Sequence, residues 1–122
     1  MEDCIFCKIA RGEIPATKVY EDDEIIAFLD IYPKAPKHVL LIPRRHIANM
    51  EALAADDAPL VGRLLLRARE LAAEEGLTDS GYRLVINNGP DSGQEVFHVH
   101  LHLLGGRHLG PMAGFPGEAR GA

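Results

Sequence analysis

The pattern of apolar and polar positions predicts two helices. Across residues 57–75, leucine and alanine recur every three or four positions while arginine and glutamate line another face, which indicates one long amphipathic helix. Gly76 follows at a position that suits the end of this helix. A shorter helix is predicted over residues 4–10, with Gly12 placed to end it.

Short apolar runs bounded by turn residues predict five strands, over residues 19–21, 25–29, 38–43, 82–87 and 97–104. The strands do not alternate strictly with helices, and their short connections favour antiparallel pairing. The predicted fold class is therefore α+β: an antiparallel sheet of about five strands with one long and one short helix. Neighbouring strands should bring the turn-rich loop at 87–95 back towards the last strand.

Composition narrows the classes of function. A chain of 122 residues suits a single domain, and its net charge of −5 argues against a nucleic-acid partner, whose binding needs clustered Lys and Arg. Small phosphate ligands stay compatible, because backbone N–H groups and histidines hold them without a basic surface. No apolar run reaches the ~18 residues of a membrane span, and no secretory signal begins the chain. We expect a cytoplasmic protein without a membrane partner.

Three histidines alternate with apolar residues in the run HVHLH, which begins at His98. Alternate residues of a strand face the same way, roughly 6.6 Å apart, so His98, His100 and His102 are expected to line one face. Three imidazoles on one sheet face are costly to bury without partners. This arrangement indicates a functional role more strongly than a structural one.

Two kinds of chemistry suit such a run. His-X-His on a strand can supply two imidazole ligands to a metal. Alternatively, a neutral imidazole can attack phosphorus and form a phospho-histidine intermediate. The nearby loop residues Asn87, Ser92, Gly93 and Gln94 favour the second, because glycines let backbone N–H groups approach phosphate oxygens. The residues alone leave both alternatives open.

The segment HVHLHLLGGR at 98–107 resembles the signature of the histidine-triad (HIT) superfamily, and its Gly-Gly-Arg ending resembles the Hint branch of that superfamily. Three further blocks agree: IFCKIARGEIP, FLDIYPKAPKHVLLIPRRHI and GYRLVINNGPDSGQEVFHVH. The resemblance covers one HIT domain at about 5–112, followed by an irregular tail at 113–122. It implies hydrolysis of purine nucleoside phosphoramidates, with acyl nucleotides as a second substrate type, through a nucleotidyl-histidine intermediate. It implies neither a catalytic metal nor an organic cofactor.

The resemblance also implies roles for individual residues. His100 is the expected nucleophile, His102 contacts the phosphate, and His38 supports the nucleophile through a hydrogen-bond relay. Asp30 matches the carboxylate that binds the ribose hydroxyls. The phosphate-side loop corresponds to Asn87, Gly93 and Gln94. Five apolar positions match the purine slot of the family, and each would equally suit a plain core. They are Ile5, Phe6, Ile9, Phe28 and Ile31.

One loop position departs from the animal-type pattern of the family. Glu95 stands where those proteins carry a serine near the leaving group. A carboxylate accepts hydrogen bonds at neutral pH and does not donate them. Glu95 is therefore expected to favour a cationic, lysine-like amine as the leaving group.

Two cysteines, Cys4 and Cys7, form a CxxC pair. In family members that carry this pair, the pattern joins it to two histidines that correspond here to His46 and His98. The resemblance thus implies a structural zinc site that ties the N-terminal segment to the catalytic strand. A redox pair, or two reduced thiols without a ligand, are the alternatives.

Competing functions stay open at this point. A dinucleoside polyphosphate hydrolase is a second enzyme class, against which the Gly-Gly-Arg ending and the short tail speak. A nucleotide-binding regulator with incidental activity is a third possibility, and a zinc-dependent hydrolase is a fourth. The resemblance further implies a homodimer, joined through the long helix and the strand that precedes the histidines.

Overall fold

The structure is a computed structural model that describes residues 3–113. Its helices and strands, in chain order, are α1 (Ile5–Ala10), β1 (Lys18–Glu21), β2 (Ile25–Leu29), β3 (Lys37–Pro43), α2 (Ala58–Glu74), β4 (Tyr82–Val85) and β5 (Leu101–Gly105). Single 3-10 turns lie at 50–52, 55–57 and 90–92. Both predicted helices and all five predicted strands are present.

The five strands form one sheet in the order β1-β2-β3-β5-β4, and every neighbouring pair is antiparallel. The α+β class and the antiparallel sheet are therefore confirmed. The central pair is β3 and β5, in which Leu40 lies opposite His102. On its other side, His102 lies opposite Val85 of β4. The third histidine of the run thus sits in the interior of the sheet.

Alternation along the strands builds a core on each face of the sheet. Val39 and Leu41 of β3 face α2, whereas Leu40 and Ile42 face α1. The α2 side is closed by the helix residues Leu60, Leu64, Ala68, Leu71 and Ala72. The α1 side is closed by Phe6, Ile9, Ile26 and Phe28. A strand buried on both faces explains why the sequence of β3 is almost continuously apolar.

The last strand begins later than the sequence indicated. The prediction was residues 97–104, whereas β5 covers Leu101–Gly105. His98 and His100 therefore precede the strand and lie in an irregular segment, with a bend at residues 96–98. The prediction that all three histidines belong to one strand is wrong in this respect.

The partner strand explains the late start. The ladder between β3 and β5 ends at the pair of Leu41 with Leu101. Two residues further on, Pro43 has no N–H to donate, so the ladder cannot continue. The N–H of Val99 donates instead to the carbonyl of Ile47, at 2.6 Å.

The alternation of faces nevertheless persists through the unpaired segment. Val99, Leu101 and Leu103 all pack in the core on the α2 side. His100 and His102 line a cleft on the α1 side. The predicted separation of histidines from apolar residues is thus confirmed, although only part of the run is strand.

Two other ends differ slightly from the prediction. β4 ends at Val85 and not at residue 87, and its last pair with β5 is that of Val85 with His102. α2 ends at Glu74, and Gly76 takes a φ of +75° just beyond the end, as a helix-terminating glycine does. The predicted irregular tail lies mostly outside the described residues. Within residues 3–113, no helix is both long and apolar enough to cross a membrane.

Candidate active site

A cleft of about 510 Å³ opens on the α1 side of the sheet. Three histidines line it: His38 from β3, His102 from β5, and His100 from the irregular segment before β5. The ring centroids of His100 and His102 are 4.9 Å apart, and those of His38 and His102 are 5.2 Å apart. The fold therefore gathers one distant histidine and two of the run into a single site.

His100 presents an unprotonated nitrogen. Its Nδ1–H donates to the backbone carbonyl of His98 at 2.8 Å, which assigns the proton to Nδ1 and leaves a lone pair on Nε2. Burial lowers the pKa of His100, so the neutral form is favoured at pH 7. The edge of Phe6 packs against the ring at 5.1 Å between centroids. His100 thus has the tautomer, the charge state and the fixed orientation of a nucleophile.

A chain of two hydrogen bonds determines the tautomers of the other two histidines. The backbone N–H of Lys34 donates to Nδ1 of His38 at 3.0 Å, so the proton of His38 lies on Nε2. That Nε2–H donates to Nδ1 of His102 at 2.9 Å, so the proton of His102 lies on its own Nε2. The relay expected to reach the nucleophile from His38 therefore runs to His102, the neighbour of His100.

His102 Nε2 is a donor without an acceptor. Among the described residues it is the buried side-chain nitrogen or oxygen that has no hydrogen-bond partner. An unpaired buried donor costs roughly 1–3 kcal/mol, so such groups in native proteins call for a ligand or a catalytic role. In a cleft that also holds His100, an oxygen of a bound ligand would supply the missing acceptor.

Asp30 stands beside this histidine pair. One carboxylate oxygen lies 3.5 Å from Nε2 of His38, and the other accepts the backbone N–H of Tyr32 at 2.8 Å. Burial lowers the pKa of His38, while the negative charge of Asp30 opposes that shift. Asp30 lines the cleft, as its predicted role in binding ribose hydroxyls requires.

The loop between β4 and β5 reaches the cleft, but not through every residue that the sequence indicated. Asn87, Gly93 and Glu95 line the cleft. Gln94 is buried instead: its Oε1 accepts the N–H of Gly89, and its Nε2 donates to the carbonyls of Ala48 and Val96. Gln94 therefore holds the shape of the loop, and it is not among the residues that line the cleft.

All five residues predicted for the purine slot line the cleft: Ile5, Phe6, Ile9, Phe28 and Ile31. Three of them, Phe6, Ile9 and Phe28, also belong to the apolar core on the α1 side. These three residues therefore line the cleft and pack in the core at the same time, and their role as a purine slot stays a prediction. Ile31, by contrast, is 78% exposed and stands at the cleft without belonging to either core.

Lys34 was not predicted as a site residue. Its contribution to the site is its backbone N–H, which orients His38, and no side-chain pattern marks such a role. The prolines on either side of it, in YPKAP, identify only an irregular link. A hydrogen bond from the main chain in a link of this kind becomes visible only in three dimensions.

A second cluster lies beside the segment that carries His100. It consists of Cys4, Cys7, His46 and His98. Their ligand atoms all lie within 4.8 Å of one another. Nδ1 of His98 lies 3.4 Å and 3.5 Å from the two Sγ atoms, and Nδ1 of His46 lies 3.3 Å from Sγ of Cys7. A tetrahedral zinc with ordinary bond lengths places neighbouring N and S ligands about 3.6 Å apart. The donor set and its spacing therefore fit zinc.

His98 is already arranged as a ligand. Its Nε2–H donates to the carbonyl of Pro43 at 2.7 Å, which leaves the lone pair of Nδ1 directed at the two thiols. His98 is fully buried, and burial raises the pKa of the Cys7 thiol. The backbone carbonyl of the same His98 accepts the proton of His100. His98 therefore belongs to the cluster through its side chain and orients His100, the candidate nucleophile, through its backbone carbonyl.

Comparison with known proteins agrees with this geometry. A family model described as the HIT domain matches residues 11–109. The chain belongs to the HIT family. A HIT-like protein of Synechococcus elongatus is 56% identical to it over 108 residues, which are 88% of this chain and 94% of that relative. A purine nucleoside phosphoramidase of Escherichia coli K12 is 47% identical over 116 residues, which are 95% of this chain and 98% of that relative.

Solved HIT structures have the same fold. A HIT family hydrolase from Legionella pneumophila matches with a TM-score of 0.86 and 57% identity, over 87% of this chain and 95% of that one. A second HIT family hydrolase, from Clostridium thermocellum, matches with a TM-score of 0.88 and 46% identity, over 91% and 96%. The recognition of the family from its sequence blocks is confirmed.

The free energy of unfolding of this HIT protein is expected to decrease as pH falls from about 6.5 towards 4. Burial lowers the pKa of His102 to about 4, whereas an unfolded histidine titrates near 6.5. Below about 6.5 the unfolded chain therefore binds a proton that the folded chain does not, and above it this contribution is constant. Urea unfolding at about pH 7 and about pH 5 measures the loss. The His102→Phe variant should lose less between the two pH values, and an equal loss would contradict this assignment.

Proposed function

We propose that this protein hydrolyses purine nucleoside phosphoramidates to the nucleoside monophosphate, and acyl nucleotides by the same route. The observation that carries the proposal is the pairing of complementary groups in one cleft. His100 offers a lone pair at Nε2, and His102 offers an unpartnered N–H beside it. The name of the E. coli relative, a purine nucleoside phosphoramidase, supports the substrate class.

The two histidines divide the reaction between them. Nε2 of His100 attacks phosphorus, a P–N(His) bond forms, and the bond from phosphorus to the leaving amine breaks as the amine takes up a proton from water. His102 Nε2–H donates to a phosphoryl oxygen and stabilises the charge that develops there. Water then attacks the nucleotidyl-His100, which releases the monophosphate and restores the imidazole. Every step uses groups of this chain and water.

The remaining cleft residues suit the nucleoside. The carboxylate of Asp30 is an acceptor for the ribose hydroxyls, and its Oδ1 is already oriented by the N–H of Tyr32. Phe6 and Phe28 meet edge to face at 5.5 Å and form part of an apolar wall, which suits a purine base. Asn87 and Gly93 line the part of the cleft formed by the loop before β5, where phosphate oxygens would lie.

We further propose that Cys4, Cys7, His46 and His98 hold a structural zinc ion. Bound there, zinc would supply a rigid link between α1 and the segment that carries His100. Support comes from the spacing of the four donors and from the orientation of His98 by Pro43. With His98 as a ligand, the reactive histidines are His100 and His102, and no step of the reaction passes through the metal.

Turnover tests the proposed function. The intact protein, incubated with adenosine phosphoramidate in EDTA, should release AMP over many turnovers. A diadenosine polyphosphate assayed in parallel tests the second enzyme class and should be a poor substrate. Tight AMP binding with a rate near that of the uncatalysed reaction would instead favour a nucleotide-binding regulator. Complete loss of activity in EDTA while the protein stays folded would indicate a zinc-dependent hydrolase, because removal of a structural ion should only lower kcat.

Glu95 is expected to select the leaving group. It lines the cleft, and within residues 3–113 its carboxylate forms no hydrogen bond or ion pair. Glu95→Gln should lower kcat/KM for a lysine-like cationic amine by up to about fivefold, the range of an exposed ion pair. The same substitution should leave a neutral amine of similar size unchanged, which provides the control. Equal effects on both substrates would contradict selection by charge.

We also propose a homodimer, joined through α2 and β4. β4 is an edge strand of the sheet, so one side of its backbone is open to another chain. The apolar residues Leu65 and Leu66 of α2 are exposed, and Leu65 lines the same small cavity as Ile86, just after β4. Light scattering of the purified protein should give twice the mass of the chain, and the mass of one chain would contradict the proposal. The cytoplasmic location stays a prediction.

A further inference from the structure

The Gly105–Gly106–Arg107 segment, which begins at the last residue of β5, contacts the link between β2 and β3, which carries Lys34. Gly106 has a φ of +99°, and a Cβ added to it would lie 2.9 Å from Cβ of Pro36. Nη2 of Arg107 donates to the backbone carbonyl of Lys34 at 2.8 Å. The link is thus held at two neighbouring points by a segment that the reaction described above does not use.

Lys34 is held from both of its backbone groups. Its carbonyl accepts from Arg107, and its N–H donates to Nδ1 of His38. This second bond decides where His38 carries its proton, because a ring nitrogen that accepts a hydrogen bond must be unprotonated. The tautomer of His38 in turn decides that of His102, through the bond of 2.9 Å between them.

We propose that Arg107 is a positioning residue that holds His102 in its donating tautomer. By anchoring Lys34, it keeps the Lys34 N–H on His38 and the His38 proton on Nε2. His102 must then accept at Nδ1 and carry its proton on Nε2, towards the substrate. The inference rests on the proposed function for its kinetic consequence, whereas the tautomers themselves can be observed without any substrate.

Loss of the anchor should change the tautomer balance of both rings. Once the Lys34 N–H no longer points at His38, that ring can carry its proton on Nδ1 instead. His102 is then free to donate from Nδ1 to His38, which leaves a lone pair on the Nε2 atom that faces the substrate. A lone pair in that place repels a phosphoryl oxygen, so stabilisation of the transition state is lost while the apolar slot for the base is intact.

The Arg107→Ala variant tests this inference by two independent measurements. In long-range ¹H–¹⁵N spectra of the ligand-free protein, wild-type His38 and His102 should both be Nε2–H tautomers, and the variant should show a mixture. In adenosine phosphoramidate hydrolysis, kcat should fall by about threefold to tenfold, the effect of one hydrogen bond, with KM nearly unchanged. Arg107→Lys, which keeps a donor, should restore part of the loss.

Two further variants serve as a negative and a positive control for Arg107→Ala. His108→Ala removes a side chain from the same turn, where His108 Nδ1 accepts only the N–H of Gly110, and should change neither tautomers nor kcat. Gly106→Ala should act like Arg107→Ala, because it pushes against Pro36. Unchanged tautomers in Arg107→Ala, or equal effects of His108→Ala, would overturn the inference. Absence of wild-type turnover would overturn the proposed function instead and leave the spectroscopic result decisive.

Discussion

Replacement of His100 by alanine is expected to lower kcat for adenosine phosphoramidate by about 10⁴-fold or more. The variant removes the lone pair that forms the bond to phosphorus, and no other imidazole can take its place. Nδ1 of His102 is occupied by His38, and its Nε2 carries a proton. His98 is directed away, at the two thiols.

The comparison with another histidine variant makes this result specific. His108 is exposed and lies outside the cleft, so His108→Ala should keep wild-type kcat. The rate of AMP release by each variant, at saturating substrate and with folding checked by circular dichroism, is the measurement. Turnover by a folded His100→Ala protein within tenfold of wild type would contradict the role of His100.

Disruption of the cysteine–histidine cluster is expected to have the second largest effect. Cys7→Ser should reduce the bound zinc well below one ion per chain and lower the free energy of unfolding by at least about 2 kcal/mol. Sγ of Cys7 meets both His46 and His98, so its loss removes the most connected of the four donors. Metal analysis and urea unfolding measure the two effects.

The Cys7→Ser substitution should also disturb the orientation of His100 in the active site. The carbonyl of His98 orients His100, and Phe6, between the two cysteines in α1, packs on both rings. We therefore expect a lower kcat in Cys7→Ser at temperatures where the variant stays folded. A strong chelator should reproduce the destabilisation in wild type and add nothing in Cys7→Ser. Unaltered stability and metal content in the variant would contradict a structural zinc site.

The fold could be predicted from the sequence where periodicity is strong. The 3.6-residue period of α2 and the apolar runs of β2 and β3 each reflect burial of one or both faces, so these elements appear with ends within one residue. The start of β5 could not be predicted, because it depends on the partner strand. It is the missing N–H of Pro43 that ends the ladder.

The composition of the site followed mainly from the family resemblance, and the structure adds how its parts are connected. The sequence marks His38 and His102 as site residues, but their direct hydrogen bond depends on the register of β3 and β5. For Gln94, the sequence indicated a site residue that the structure places outside the lining of the cleft. Its amide suits a phosphate contact, yet three backbone groups of the chain already use its hydrogen-bonding capacity.

The proposed mechanism depends on a covalent bond between phosphorus and Nε2 of His100. The most direct test mixes the protein rapidly with adenosine phosphoramidate and quenches the reaction at high pH, where phospho-histidine is stable. Peptide mass spectrometry then identifies the modified residue. We expect a transient mass increment of one adenylyl group on the peptide that contains His100, with fragments that place it on that residue. Steady release of AMP without a modified histidine, or with the group on His102, would contradict it.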